Sequence, residues 1–305
     1  MTTQDIKAWI ALSRPPFHSV GVLPYILGGV VAWRMAEVFY WSVFFIGTVG
    51  VIFIMLATYY AGEYWDFRED SLSKGSRFAG GSQVLQKRLL SRHTALVASI
   101  VSIGCAVVVG IVLQFFLHTG PWTLAFGLLG ILGGFFYSTR PIRWVGTGFG
   151  EVWIAFCYGW LPVAVGYYLQ TGTLNPYIHI ISVPIGLTIF NVILLDEYPD
   201  READRSAQKM NMLARIGPQT GVYLYAGVAL LSWVAFGFSL YQGIDPRAGI
   251  LYMPVLIASL VVVWNMVKKR WEDERVLERL CGVNILINLA TTAVFLVAYL
   301  WLEVK

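Results

Sequence analysis

Charged side chains are scarce in this sequence. Only 13% of its 305 residues are Asp, Glu, Lys or Arg, whereas 57% are hydrophobic. A soluble domain of this size needs far more polar surface than that. Apolar runs long enough to cross a bilayer recur along the whole chain. The composition therefore excludes a soluble protein and predicts a polytopic membrane protein.

Cysteine and histidine are also rare, and neither is spaced for metal binding. The three cysteines, Cys105, Cys157 and Cys281, lie in apolar stretches and form no Cys-x-x-Cys pair. We interpret them as small core residues without a redox or zinc role. The four histidines show no ligand spacing, and we interpret them as structural or interfacial residues.

Nine apolar segments are long enough to cross a bilayer as helices. They are residues 17–36, 40–62, 94–117, 120–138, 147–169, 176–197, 218–241, 248–268 and 280–302. Isolated strands are excluded, because their backbone groups would have no hydrogen-bond partners in hydrocarbon. The sequence therefore predicts an all-α membrane bundle of nine transmembrane helices.

Lysine and arginine are divided unequally between the two ends of these predicted spans. Of the 22 basic residues, 19 fall on the side of the N-terminus, and only Arg34, Arg247 and Lys305 fall on the other. The positive-inside rule then puts the N-terminus in the cytoplasm and the C-terminus outside. Because topology explains the net charge of +4, nucleic acid is not an expected partner.

Acidic residues concentrate at the cytoplasmic ends of the second and sixth predicted spans. Segments 62–70 and 196–204 both contain the pattern Glu-Tyr-x-Asp-x-x-x-Asp, displaced by 134 residues. The matched pairs are Glu63 with Glu197, Asp66 with Asp200, and Asp70 with Asp204. The copies lie four spans apart and so face the same side of the membrane. We interpret them as a weak internal repeat that contributes half of one site from each copy.

The spacing of these acids favours magnesium binding. Steps of three and four residues put the acids of each cluster, including Asp196, on one helix face. Carboxylates stacked in this way repel one another unless a cation joins them, and Mg²⁺ takes carboxylate, phosphate and water oxygens. Two facing clusters can therefore hold a diphosphate through bridging metals. The alternative is a solvated helix end. Glu69 and Glu202 fall between the matched positions, and we expect their alanine variants to be much milder. Pro199 is expected to kink the sixth helix or end its regular part.

Basic residues near the clusters are candidates for holding phosphate. They are Lys74, Arg77, Arg140, Arg143, Arg201 and Lys209. The longest loop contains Lys74, Arg77 and Gly80-Gly81-Ser82, and we expect it to cover the acids. Tyr137 ends the fourth predicted span and is a candidate hydrogen-bond donor to diphosphate. For these residues the alternative is ordinary positive-inside charge and interfacial anchoring.

The paired motifs resemble those of the UbiA-type intramembrane prenyltransferases. That family carries Asn-Asp-x-x-Asp-x-x-x-Asp after its second helix and a related acidic motif after its sixth. Ser13-Arg14-Pro15 resembles the family's opening signature, and segment 213–217 resembles the part that follows its second motif. Segments 77–82, 137–143 and 150–172 are similar to the 1,4-dihydroxy-2-naphthoate prenyltransferases of menaquinone synthesis.

The sequence departs from the family pattern at two places. The family's Asn-Asp is Gly62-Glu63 here, which removes one amide ligand and lengthens one acid by a methylene. The usual Gly-Lys-Arg/Lys-Thr is Gln208-Lys209-Met210-Asn211. Both departures affect the acceptor and the metal geometry that the resemblance implies more than they affect the type of reaction.

The resemblance implies one membrane domain over residues 1–305, with two weakly repeated halves and an active site on the cytoplasmic face of the inner membrane. It implies Mg²⁺-dependent transfer of a prenyl group from a polyprenyl diphosphate to an aromatic acceptor, 1,4-dihydroxy-2-naphthoate. The catalytic residues would be Asp66, Asp70, Asp196, Asp200 and Tyr137. Two Mg²⁺ ions would be bound by Glu63, Asp66, Asp70, Asp196, Asp200 and Asp204.

Two alternatives stay open at this point. Within the same chemistry, the acceptor is instead a hydroxybenzoate, a homogentisate or a glycerol-phosphate lipid. From another class, a secondary transporter also combines intramembrane acids with internal repeats. Transporter sites usually lie near the membrane midplane, however, whereas these acids cluster at one interface.

Overall fold

The structure, a computed structural model, describes residues 3–73 and 80–301, and the regular elements in those ranges are all helices. Eight helical stretches are long and apolar enough to cross a membrane. They are α2 (Pro15–Ala36), α3 (Trp41–Trp65), α5 with its π-helical end (Arg92–Phe116), α7 and α8 joined by a π turn (Gly150–Thr171), α9 (Pro176–Ser206), α11 (Pro218–Tyr241), α12 (Arg247–Val267) and α13 (Glu274–Trp301). The shorter helices are α1 (Thr3–Ser13), α4 (Phe67–Leu72), α6 (Thr123–Ser138) and α10 (Met212–Ile216).

The fourth predicted span is the one that differs most from the sequence prediction. It appears as α6, which has only 16 residues and is about 24 Å long at 1.5 Å per residue, less than the ~30 Å hydrocarbon core. Gly120 has a φ of +118°, and the Trp122 amide donates to the Tyr168 hydroxyl at 2.9 Å. The beginning of the predicted span is therefore a turn. Helix α1 was not predicted from the sequence.

Helix α9 continues past Pro199 to Ser206. Proline has no N–H to donate to the carbonyl four residues earlier, which is that of Leu195. The Cys281 thiol of α13 donates to this carbonyl across 3.8 Å, so a neighbouring helix supplies the missing donor. The regular helix therefore does not end at Pro199, and the second acidic cluster lies on a continuous helix.

Buried polar side chains join α9, α11 and α13 in the middle of the bundle. Asn191 donates to the Tyr225 carbonyl at 3.1 Å, the Tyr225 hydroxyl donates to Asn284 at 2.8 Å, and Asn284 donates to the Asn191 carbonyl at 2.8 Å. Polar groups in a membrane interior need internal partners, and interhelical hydrogen bonds supply them. This closed set of bonds fixes the register of the helix that carries the second cluster.

Helices α2 and α8 cross at two glycines, with backbone in contact with backbone. A Cβ built on Gly28 would lie 2.8 Å from the Tyr167 nitrogen and against the Val163 carbonyl, and one on Gly166 would press on the Tyr25 carbonyl. Small residues at helix crossings allow this close approach in membranes. The crossing brings α2 against the centre of the bundle, beside the acidic cavity described below.

We expect Gly28→Ala to destabilise the protein by about 1–3 kcal/mol, because the added methyl group meets backbone atoms that cannot rotate away. Thermal unfolding in detergent, followed by circular dichroism, measures the effect. Gly237→Ala is the matched control, since an added Cβ there meets nothing within 4 Å. Equal melting temperatures for the two variants would contradict the role of the crossing.

Candidate active site

A cavity of about 250 Å³ lies where α3 and α9 reach one end of the bundle. The chain leaves α3 at Trp65, turns at Asp66 and enters the short helix α4, so the first cluster curls over the end of the bundle. The cavity is lined by all six acids that the sequence assigns to metal, together with Tyr137 and Lys209; the acids are Glu63, Asp66, Asp70, Asp196, Asp200 and Asp204. The structure therefore brings the two motif copies together in one site.

Asp66 is held by α6 and by the segment that follows it. One carboxylate oxygen accepts from the Ser138 hydroxyl at 2.5 Å, and the other is 3.4 Å from the Arg143 guanidinium. Arg143 also binds Glu69 at 2.5 Å. The Glu69 carboxylate is buried and ion-paired, but it lines a neighbouring cavity and not the acidic one.

Asp200 and Asp196 face the cavity from α9. Asp200 accepts from the Ser73 hydroxyl at 2.5 Å, which links the second cluster to the end of α4. Within the described residues, the buried Asp196 Oδ1 has no hydrogen-bond partner. A buried carboxylate oxygen in this condition is costly unless a ligand completes it.

Asp70 lies against the backbone of Gly81, whose φ is +68°. A Cβ on Gly81 would overlap the Asp70 carboxylate, so only glycine leaves room for this approach. Burial, together with the negative charges of Asp66 and Glu63, raises the pKa of Asp70 to about 8. The free carboxyl group is therefore neutral below that pH, and a cation would favour its ionised form.

The first acid of each motif copy binds a segment that follows its own motif. Glu63 accepts from the Ser82 amide at 2.7 Å and the Ser82 hydroxyl at 2.8 Å, and Arg14 donates to it at 2.9 Å. Glu197, at the matched position, accepts from the Leu213 amide at 3.1 Å. Protein donors therefore contact both carboxylate oxygens of Glu63 and one carboxylate oxygen of Glu197. Glu63 is thus placed to hold a segment at the cavity as much as to bind a metal ion.

Asp204 pairs with two residues that follow α9. Its oxygens lie 3.3 Å from the Lys209 ammonium and 2.8 Å from the Asn211 amide nitrogen. Burial alone would lower the pKa of Lys209, but the charges of Asp204, Asp66, Asp70 and Asp200 outweigh it and raise that pKa. Lys209 is therefore a permanent positive charge among the acids.

The structure does not bring the other described basic candidates into this cavity. Arg140 and Arg143 line a neighbouring cavity with Glu69, and Arg201 lines another, although that one also borders Asp200. The Arg201 guanidinium lies over the Trp271 ring at 5.5 Å and donates to the Tyr198 carbonyl. Lys74 and Arg77 lie outside the described residues.

Several lining residues were not identified as site residues from the sequence. Arg14 lies between α1 and α2 with a φ of +47°, and only its place in Ser13-Arg14-Pro15 could have indicated it. Ser138 and Tyr158 belong to apolar stretches that carry no distinguishing pattern. Their proximity to the acids depends on helix packing.

A second, apolar cavity lies beside the acidic one, between α3, α5, α6 and α8. It has a volume of about 100 Å³ and is lined largely by glycine and aliphatic residues. Thr58 and Tyr158 border both cavities, and Tyr59 borders the acidic one. The site is therefore polar at one end and apolar at the other, with phenol rings at the junction.

The residues present fit a hard divalent cation. The donors are carboxylate oxygens, one of which lacks any other partner in the described ranges, and Mg²⁺ prefers such ligands with phosphate and water completing its shell. Across residues 3–73 and 80–301, no three acidic, histidine or cysteine side chains already converge in ligating geometry. Like charges keep such side chains apart until a cation joins them.

The comparisons with known proteins agree with this architecture. The UbiA prenyltransferase family matches residues 22–301. The chain is 26% identical over 228 residues to the 1,4-dihydroxy-2-naphthoate octaprenyltransferase of Bacillus subtilis, covering 73% of this chain and 70% of that protein. It is 22% identical over 297 residues to the Haemophilus influenzae protein of the same name, covering 95% and 96%.

A solved structure shares the fold. A UbiA homolog from Archaeoglobus fulgidus bound to GPP and Mg²⁺ superposes with a TM-score of 0.65 at 15% identity, covering 94% of this chain and 99% of that one. The eight apolar helices and the family match together identify an integral membrane protein. The chain belongs to the UbiA prenyltransferase family.

Proposed function

We propose that this protein transfers a prenyl group from a polyprenyl diphosphate to 1,4-dihydroxy-2-naphthoate in a quinone pathway. The observation that carries the proposal is the convergence of both acidic clusters and Lys209 in one cavity that adjoins an apolar cavity. This shape suits a substrate with a charged head and a hydrocarbon tail. The named relatives in Bacillus subtilis and Haemophilus influenzae support the choice of acceptor.

The chain's own residues bind and orient the diphosphate. Asp66, Asp70, Asp196 and Asp200 would hold two Mg²⁺ ions, with Asp204 and Glu63 completing the acidic wall. When bound, Mg²⁺ would neutralise the phosphate oxygens and stabilise the leaving group. Lys209 donates to the same oxygens, and Tyr137 supplies a hydroxyl from α6.

The reacting carbon belongs at the junction of the two cavities, beside Tyr59 and Tyr158. The bond between this carbon and the diphosphate oxygen breaks, and its electron pair leaves with the diphosphate. Aromatic faces stabilise the positive charge left on the prenyl carbon. The electron-rich ring carbon that bears the carboxylate then forms the new bond. Its bond to the carboxylate breaks, the electron pair of that bond restores the aromatic ring, and CO₂ leaves.

The membrane topology that we propose has nine spans, with α6 as the short fourth one. It puts the N-terminus and the acidic cavity on the cytoplasmic side of the inner membrane and the C-terminus outside. The uneven division of basic residues supports it. The chain would form one domain with two weakly repeated halves.

The decisive experiment is prenyl transfer in membranes containing the protein, with one radiolabelled prenyl diphosphate and a panel of acceptors. We expect labelled product with dihydroxynaphthoate and none with hydroxybenzoate, homogentisate or a glycerol-phosphate lipid. Product from another acceptor alone would replace the proposed one. Absence of product with every acceptor would refute the assigned activity.

We expect Asp66→Ala and Asp200→Ala each to reduce transfer at least about a hundredfold, the order of several kcal/mol of metal-assisted charge stabilisation. The double variant should lose little more, because the two clusters act as a unit. Asp→Asn at either position should reduce prenyl transfer as well, because the substitution removes the negative charge that holds Mg²⁺. Activity and melting temperature are measured together in detergent.

Glu202→Ala is the matched control for these variants, because its side chain is 85% exposed at the same end of α9. Glu69→Ala is not a neutral control, since it would leave Arg143 without its closest carboxylate. Near-normal transfer by both Asp66→Ala and Asp200→Ala, or transfer that survives complete chelation of divalent metal, would show that the proposed site is wrong.

Magnesium binding should weaken as pH falls, because the pKa of Asp70 is about 8. Below that pH a cation must displace the proton, so apparent affinity should drop by up to about tenfold per pH unit, whereas above it Asp70 adds no further dependence. Calorimetric Mg²⁺ titrations between about pH 6.5 and about pH 8.5 measure this. Asp70→Asn should make the profile less steep, and a flat profile in the parent protein would contradict the expectation.

A reporter fused after Lys305 should signal from the extracytoplasmic side, because nine crossings from a cytoplasmic N-terminus end outside. Alkaline phosphatase and green fluorescent protein fusions give opposite signals on the two sides. A fusion truncated after Gly172, which follows five crossings, is the matched control and should also report outside. A cytoplasmic signal at residue 305 alone would mean that a later span had been miscounted.

A further inference from the structure

Two buried carboxyl groups meet behind the acidic cavity. Glu151 of α7 is 1% exposed and Glu197 of α9 is 8% exposed, and their carboxyl groups lie close enough to interact electrostatically. Glu197 borders the cavity, whereas Glu151 does not. Burying two carboxyl groups in a membrane protein costs free energy unless both have hydrogen-bond partners.

Both carboxyl groups accept hydrogen bonds from backbone amides at the beginning of α10. The Met212 amide donates to Glu151 at 2.8 Å, and the Leu213 amide donates to Glu197 at 3.1 Å. The next amide, that of Ala214, donates to the Asn211 side chain at 2.8 Å. The first amides of a helix have no partner within the helix, and negative side chains there are favourable. Three successive amides are therefore satisfied by three side chains, two of them from transmembrane helices.

The residues just before α10 are those that reach the acidic cavity. Lys209 and Asn211 both bind Asp204. Helix α10 has only five residues and is too short to be stable alone, so the position of this segment depends on its anchors. Arg215, within α10, provides a second anchor for this segment, because its guanidinium donates to the Gly146 carbonyl at 3.1 Å.

We propose that Glu151 is a positioning residue for diphosphate binding: with Glu197 it fixes the beginning of α10 and thereby holds Lys209 at the cavity. The proposal rests on the function proposed above, which assigns Lys209 to the diphosphate. The first half of the chain offers a parallel, because Glu63 binds the Ser82 amide in the same way. Each half thus uses a buried glutamate to fix the segment that follows its motif.

The test compares Glu151→Ala, Glu151→Gln and the exposed control Glu202→Gln. Steady-state transfer gives KM for each substrate, and hydrogen–deuterium exchange over residues 207–217 reports anchoring independently of activity. We expect Glu151→Ala to raise KM for prenyl diphosphate about tenfold, as for the loss of one charge-assisted hydrogen bond, with less than about twofold change in acceptor KM. Exchange over 207–217 should become faster in this variant only.

Glu151→Gln should restore most of the parent KM, because its amide oxygen can still accept from Met212. Adding Glu151→Ala to Lys209→Ala should raise KM little further, since Glu151 acts through Lys209. If Glu151→Ala does not fold, Glu151→Asp replaces it, with a shorter reach and the same charge.

Equal rises in both KM values, or additive effects in the double variant, would overturn the positioning role. Unchanged exchange in Glu151→Ala would overturn the anchoring of α10. A parent protein that transfers no prenyl group would instead overturn the proposed function, so the two failures are distinguishable.

Discussion

The constraint on which this structure depends is the gathering of six carboxylates at one end of an apolar bundle. Like charges in a poorly solvated site repel one another, and each must find a donor, a proton or a cation. The fold divides the acids accordingly. Glu63 binds Arg14 and Ser82, and Asp204 binds Lys209 and Asn211. Asp66 binds Ser138 and Arg143, Asp200 binds Ser73, and one oxygen of Asp196 has no hydrogen-bond partner in the described ranges.

This division follows from where the helices end. Helix α3 stops at Trp65, so Asp66 caps it and Asp70 is carried over the bundle on α4. Helix α9 continues to Ser206, so its acids stay on one rigid element. The two copies of one sequence pattern therefore approach each other from different backbone geometries. The resulting cavity is rigid on the α9 side and is closed on the other side by short elements that side-chain hydrogen bonds hold in place.

Buried glutamates are the recurring means of holding those elements. Glu63 and Glu197 stand at matched positions of the repeat, and each accepts a backbone amide from the segment that follows its motif. A backbone amide is a donor that substitution elsewhere in the segment cannot remove, and the carboxylate makes the bond charge-assisted. The departure from the family pattern at Gly62-Glu63 fits this role, because the longer glutamate side chain reaches the Ser82 amide. The acids that look like a uniform ligand set in the sequence therefore differ in the structure, where Glu63 and Glu197 bind backbone amides.

The sequence by itself determined the membrane class, most of the spans and the two acidic clusters, because hydropathy and the displaced motif depend on residue order alone. It could not determine that Glu69 is buried against Arg143, that Arg140 and Arg201 lie outside the acidic cavity, or that Arg14, Tyr158 and Glu151 lie around it. Those facts depend on which helix faces meet and on how the chain turns between them. Glycine crossings and buried hydrogen bonds between residues far apart in the chain set these contacts, and no local pattern records them.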